Sequence, residues 1–298
     1  SEGNVHVMSH TMHYGSGCFE GIKCYLTADG PAIFRLEDHI RRLVRSGALY
    51  GIETPFSVEE LVAACEEVVR VNDLQNCYIR PIVFYGFDTL GVHPNNCPVH
   101  AAIACFNWGA YLGEDGLTHG VRITVSSWRK FHYSSFHCVA KGNGQYMNSM
   151  LAVREAKAQG FDEALLLNME GNIAEGSGNN LFIVKDGILH TNDRTASILM
   201  GITRETVLQM AQDEGIPVEI SDLTLEQLSD ADEAFFTGTA TEVTPIREVD
   251  GRLIGDGKPG KITTHLRGLY FDIVHGRRAE YHGWLHYVQE EAVLRDAH

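Results

Sequence analysis

Along the chain, the spacing of apolar residues switches between the period of a strand and that of a helix. Residues 5–8 and 18–26 read as strands, and Ala28-Asp29-Gly30 is a hairpin turn into Ala32-Ile33-Phe34. Leu36, Ile40, Leu43, Val44 and Gly47 then fall on one helical face. Ser57 and Glu60 form a capping box, and the helix they open buries Leu61, Cys65, Val68 and Val69. Two β-rich runs follow, 77–85 and 98–107, so hairpins mix with helices without strict βαβ alternation.

The glycine-rich stretch 108–116 has no clear period and reads as a linker. It divides the chain into a small mixed N-terminal domain (1–107), an interdomain loop (108–118) and a larger C-terminal domain (119–298). The second part carries a strand at 121–126 and a helix over 145–159, with Met147, Leu151, Arg154 and Ala158 along one side. Strands at 164–167, 180–184 and 188–191 come next, then a helix starting at Gly201-Ile202-Thr203. Strands at 218–220, 233–237 and 243–249 and an amphipathic helix over 261–274 complete the pattern. The acidic tail after Gln289 is expected to be disordered. The whole reads as a two-domain α/β chain of α+β character, with no repeat, low-complexity tract or coiled coil.

Of the 298 residues, 44% are hydrophobic and 21% charged, ordinary values for a globular protein. A net charge of −15 argues against nucleic acid or an anionic membrane as partner. No apolar run approaches the roughly 20 residues of a membrane span. A small anion remains a fitting ligand, since a few arginines or backbone N–H groups hold one locally. Seven cysteines without a CxxC pair predict a reduced, cytoplasmic protein. His10 with His13, and His132 with His137, lack further ligands, so they read as polar lining or surface and no metal is expected. The start at Ser1 carries no targeting segment and suggests processing or truncation.

Seven lysines are present, and six of them (23, 130, 157, 185, 258, 261) lie in polar or turn-like surroundings, a strand or an exposed helix face. Lys141 follows apolar residues and precedes Gly142-Asn143-Gly144. A desolvated lysine loses its proton and becomes a nucleophile, although this stretch taken alone favours a surface lysine at a Gly-rich helix entry. Glu175 sits between a short apolar run and a Gly-rich turn, either solvated or facing a cationic group in a pocket. Leu199–Glu205 enters a helix whose first N–H groups would form a phosphate cup, or an ordinary helix start. Phe236–Thr241 ends a strand with small hydroxyl residues, a plain turn or a second wall of that site. Ser127–Lys130 matches SxxK without its partner motifs, Gly142-Asn-Gly144 lacks a third glycine, and no Walker A sequence occurs.

A lysine, an isolated carboxylate and an anion cup together fit pyridoxal 5'-phosphate, which needs one of each. The chain resembles the fold-type IV pyridoxal-phosphate enzymes, and among them the branched-chain amino-acid aminotransferases, from about Val5 to Trp284. The ordered motifs are His6–His10, Tyr14-Gly15, Phe19-Glu20-Gly21, Tyr78-Ile79-Arg80-Pro81, Trp108–Tyr111, Lys141, Glu175-Gly176, Gly201-Ile202-Thr203 and Gly238-Thr239. One departure is the absence of a strand that the family carries before Val5.

The resemblance implies a small N-terminal α/β domain and a larger C-terminal domain with a pseudo-barrel of short strands and helices. It implies that Lys141 bonds the cofactor and moves the proton, Glu175 pairs with the ring nitrogen, and Tyr146 donates to the ring oxygen. Arg42, Gly201, Ile202, Thr203, Gly238 and Thr239 would hold the phosphate. Because Arg42 falls opposite its helix's apolar face, that assignment requires it to look into a cleft between domains. Phe19, Gly21, Tyr78, Arg80, Trp108, Tyr111, Thr239 and Ala240 would line the substrate pocket, with Tyr14 and Val92 reaching into the neighbouring subunit of a homodimer or larger homo-oligomer. The implied reaction moves the amino group of leucine, isoleucine or valine to 2-oxoglutarate. Alternatives on the same scaffold are a D-amino-acid or (R)-amine transaminase or an aminodeoxychorismate lyase. A non-catalytic phosphometabolite-binding protein would not need Lys141.

Overall fold

The computed structural model describes residues 3–109 and 111–289, with only the backbone of Glu114. The tail after Gln289 lies outside the described residues. In chain order the first part runs α1 (His10–Tyr14), β1 (Gly17–Phe19), β2 (Ile22–Thr27), β3 (Gly30–Phe34), α2 (Leu36–Leu49), α3 (Val58–Val71), β4 (Cys77–Tyr85) and β5 (Val99–Phe106). Next come α4 (Gly113–His119), β6 (Val121–Val125), α5 (Tyr146–Ala158), β7 (Glu163–Leu167), β8 (Ile173–Gly176), β9 (Asn180–Lys185), β10 (Ile188–Thr191) and α6 (Ile202–Asp213). The chain closes with β11 (Val218–Ile220), α7 (Leu225–Ser229), β12 (Glu233–Gly238), β13 (Glu242–Val249), β14 (Arg252–Leu253), α8 (Lys261–Val274) and β15 (Leu285–Tyr287).

Two sheets result, consistent with a mixed α/β architecture. The first has six strands in the order β1-β4-β2-β3-β15, with β5 beside β4. All of its pairings are antiparallel. One face is covered by α2 and α3, whose Leu36, Ile40, Leu43, Leu61, Cys65 and Val69 pack on Ile22, Cys24, Ile33 and Ile79. The second has nine strands in the order β11-β10-β9-β12-β13-β6-β7-β8, with β14 on β13. Its β6 lies parallel between β13 and β7. On this sheet α6 and α8 bury Val207, Met210, Leu266 and Ile273 against Phe182 and Phe235. Each such side chain contributes about 1.5–3 kcal/mol when fully buried. Phe34 of β3 and Leu285 of β15 join the same cluster, so this core reaches both sheets.

Several expectations are corrected. Residues 5–8 form no strand: Ser9 N–H donates to the His6 carbonyl (2.9 Å) and Met8 N–H to His6 Nδ1 (3.2 Å), a local turn that leads into α1. The expected strand 18–26 is two strands, because Glu20 turns inward to polar partners and Gly21 passes under the Tyr78 hydroxyl. A Cβ at Gly21 would stand 1.7 Å from that oxygen, so no other residue fits there without displacing Tyr78. The second half of the 108–118 stretch coils into α4, whose inward Gly116 and Leu117 are too short a stripe to show a period. On α5 the buried face is Ser149, Ala152 and Ala156, packed near Ala164 and Leu166, while Met147 faces solvent. Small residues let this helix lie close to β7, and they leave little hydrophobic signal. Also unforeseen were β8, α7 and β15.

Among the described residues no helix is long and apolar enough to cross a membrane. None of their His, Cys, Asp and Glu side chains gather in a group of three or more that could hold a metal ion.

Candidate active site

Lys141 sits in the irregular stretch between β6 and α5 and is pinned by its backbone. Its carbonyl accepts from Phe19 N–H (3.1 Å), its own N–H donates to Ser46 Oγ (3.1 Å), and Gly142 bridges to Cys18 of β1. Its Nζ donates to the Tyr146 hydroxyl at 2.8 Å and stands 5.1 Å from the Phe19 ring centre. Burial lowers the pKa of this amine, and Arg42 and Arg80 push the same way against Glu20 and Tyr78. A lysine so placed gives up its proton more readily than one in water.

Facing it is the start of α6, capped by Gly201. A Cβ there would lie 2.1 Å from Asn180 Oδ1, so glycine is what lets the helix begin against β9. The first N–H groups of α6 have no intrahelical partner and carry the positive end of the helix dipole. Thr203 and Thr239 line the same cavity, as does Thr237, whose buried Oγ1 has no partner. Arg42, though expected on the polar side of α2, is buried and reaches this cavity. It donates through Nε and Nη2 to Glu20 (2.6 and 2.9 Å) and through Nη1 to the Met200 carbonyl (3.0 Å). Burial alone would raise the Glu20 carboxyl, but Arg42 and His39 together hold it well below the usual carboxylate range. His39 Nδ1 lies 2.8 Å from Glu20 Oε2.

Glu175, on β8, is buried and lines the cavity. Its Oε1 accepts from Lys130 Nζ at 2.5 Å, and its Oε2 accepts from Leu199 N–H (3.1 Å) and Asn180 Nδ2 (3.3 Å). Lys130 is therefore no surface lysine: only 7% of it is exposed, and it forms an ion pair inside the site. It escapes sequence reasoning because the segment that carries it has no period, and Ser127–Lys130 reads as a failed motif. Glu20 and Asn180 stand within motifs already singled out, but nothing in the sequence distinguished their roles.

A second cavity opens on the other side of Lys141 and Tyr146. Phe19, Gly21, Tyr78, Arg80, Trp108, Tyr111, Thr239 and Ala240 all line it. The Arg80 guanidinium lies over the rings of Phe19 (4.7 Å) and Tyr78 (5.3 Å), and its buried Nε has no partner. Trp108 packs edge-on against Tyr78 at 4.6 Å. Tyr14 and Val92 line neither cavity. The Tyr14 hydroxyl donates to the Leu90 carbonyl at 2.6 Å, and Val92 is 80% exposed. Buried His10 holds this loop through the Gly91 and Val92 carbonyls (3.0 and 3.2 Å).

A buried lysine, a paired carboxylate and the start of a helix thus share one cleft. The amino-transferase class IV family matches residues 17–249. The branched-chain-amino-acid aminotransferase of Pseudomonas aeruginosa is 46% identical over 283 residues, 95% of this chain and 92% of that protein. The branched-chain amino acid aminotransferase of T.th., solved with pyridoxamine 5'-phosphate, is 48% identical, with a TM-score of 0.94 over 97% of this chain and 94% of its own. The same enzyme complexed with N-(5'-phosphopyridoxyl)-L-glutamate gives 46% identity and a TM-score of 0.91 over the same shares.

The Lys130–Glu175 pair yields a direct test. Lys130→Met leaves a buried carboxylate without its cation, a loss of about 3–5 kcal/mol. Urea unfolding of the purified variant should show a correspondingly lower midpoint at neutral pH. An unchanged midpoint would mean that the pair contributes nothing to the fold.

Proposed function

This chain belongs to the amino-transferase class IV family, and we propose that its two cavities carry out one reaction on branched-chain L-amino acids. The protein is a pyridoxal-phosphate-dependent aminotransferase that passes the amino group of leucine, isoleucine or valine to 2-oxoglutarate, giving branched 2-oxo acids and L-glutamate. The observation that carries the site assignment is the meeting of Lys141, Glu175 and the α6 start in one cleft.

The residues present fit the cofactor. The Thr237 hydroxyl and the free N–H groups of α6 offer donors where a phosphate would lie. Arg42 spends three of its five N–H groups on Glu20 and Met200 and keeps two for the same anion. Thr203, Thr239, Ile202, Gly201 and Gly238 complete that wall.

When bound, pyridoxal phosphate supplies a covalent anchor for the amine and a ring that accepts the electrons freed at the substrate Cα. Lys141, its pKa lowered by burial, would be the base that takes the proton from the substrate Cα and carries it to the cofactor. Glu175, which accepts three hydrogen bonds inside the cleft, would face the pyridine nitrogen and hold a proton on it. Tyr146 accepts from the Lys141 amine, and its hydroxyl would donate to the ring oxygen of the cofactor. On the substrate side, Phe19, Tyr78 and Trp108 offer an apolar wall to a branched side chain. Arg80, with its unpartnered Nε, supplies the donor that the distal carboxylate of glutamate needs.

We further infer a homodimer in which Tyr14 and Val92 complete the neighbour's pocket, because both are exposed and neither lines its own. A cytoplasmic location accords with seven free cysteines. An interdomain loop at 108–118 accords with Trp108 and Tyr111 lining the substrate cavity.

Three outcomes test this reading. Lys141→Ala should abolish turnover of leucine while still binding the cofactor, because the phosphate wall is separate; borohydride should then fix no cofactor to the protein. A borohydride-fixed cofactor on another lysine would overturn the assignment. Arg80→Met should weaken use of glutamate and 2-oxoglutarate by roughly tenfold to a hundredfold, the worth of a charge-assisted bond. Leucine, followed in a single turnover, should change far less, and equal loss for both would make Arg80 structural. In sedimentation under assay conditions, the smallest active species should be a dimer, and an active monomer would refute the shared site.

A further inference from the structure

Glu163, at the start of β7, is buried at 1% exposure, and the mechanism makes no use of it. Its hydrogen-bonding partners are neutral. Oε1 accepts from Ala164 N–H (2.7 Å) and Oε2 from Asn179 Nδ2 (3.3 Å), and the Ser177 side chain lies beside the carboxyl. Each side-chain partner leads on to the substrate cavity. The Asn179 amide passes between Gly176 and Gly238, where a Cβ on either would stand 3.2–3.3 Å from it, and its Oδ1 accepts from Thr241 Oγ1. Ser177 also lies beside the Tyr111 hydroxyl. Thr241 and Tyr111 lie on two walls of the cavity that Arg80 also lines.

We propose that Glu163 is a positioning residue for the substrate, holding the 239–241 turn through Asn179 and Tyr111 through Ser177 so that the gap between them fits a branched side chain. The proposal rests on the reading that this cavity takes branched-chain substrates. The groups that face Glu163 explain why a carboxyl serves here. Exposed Lys157 lies on α5, too far into solvent to form an ion pair with it, and the Tyr111 phenol stands on the other side. Burial raises the carboxyl's pKa. Both carboxyl oxygens act as acceptors here, and glutamine keeps the shape of the side chain and one of those acceptors, whereas alanine keeps neither.

The test uses the cofactor-loaded protein and 4-methylvalerate, the carbon skeleton of leucine without its amine, as a calorimetric probe of the pocket. Glu163→Ala should weaken its binding by about tenfold, while Glu163→Gln stays within about threefold of the wild type. Cofactor content should be full in both, and the KM for leucine should rise in Glu163→Ala with little change in kcat. Should Glu163→Ala not fold, Ser177→Ala, which cuts only the branch to Tyr111, should still weaken the probe several-fold. Wild-type affinity in Glu163→Ala would overturn the proposal, as would equal weakening in Glu163→Gln. Wild-type turnover of leucine decides the proposed function separately, because the positioning role is read from the ratio of variant to wild-type binding.

Discussion

A carboxylate inside the first sheet holds the two halves of the site together. Glu20 interrupts what would otherwise be one strand, and it does so to meet Arg42 and His39 in the core. A buried ion pair adds little net stability, since desolvation offsets most of the attraction. What it does fix is geometry. With two N–H groups on Glu20, the Arg42 guanidinium has one orientation, and its Nη1 reaches the carbonyl of Met200 just before α6. The strand break, the helix α2 and the anion-binding end of α6 are thereby set against one another. Glu20 also acts on the Lys141 amine, opposing the cations around it, so the same group shapes both the cup and the nucleophile's proton affinity.

Much of this was legible in the sequence, and the misses share a cause. Amphipathic α2, α3 and α8 announce themselves because each has one apolar face and one polar face, and β4 and β5 because they are runs rich in apolar residues. Ser57 with Glu60 fixed the start of α3 to the residue. Elements buried on both sides, or held by small residues, show no such period. Thus β8 and the inner face of α5 were not legible. The site was legible where one residue type is chemically rare in its setting, as with Lys141. It was hidden where a common residue is made unusual by its neighbours alone: Lys130 becomes a buried partner of Glu175 only once β8 has been laid beside it.

The substrate cavity meets an old difficulty, an apolar side chain and an anionic one in the same space, with an arginine seated on aromatic faces. Stacked on Phe19 and Tyr78, the guanidinium has a partner of about 0.5–2 kcal/mol even when no carboxylate is present. Its flat face then serves as part of the hydrophobic wall, and its edge remains a donor. The cost of an empty ion-pairing site is in this way shared with the rings of Phe19 and Tyr78.

Strand β15 shows how late this structure can be finished. Leu285, His286 and Tyr287 pair with Phe34, Ile33 and Ala32, so the sixth strand of the first sheet comes from the far end of the described chain. On a ribosome adding about 5–20 residues per second, the free edge of β3 waits on the order of ten seconds or more for its neighbour. Contacts so distant in sequence also slow folding, since their loop must close before they stabilise anything. The nascent N-terminal sheet is thus born with an open side, and its closure doubles as a check that the whole cofactor-binding half has been made.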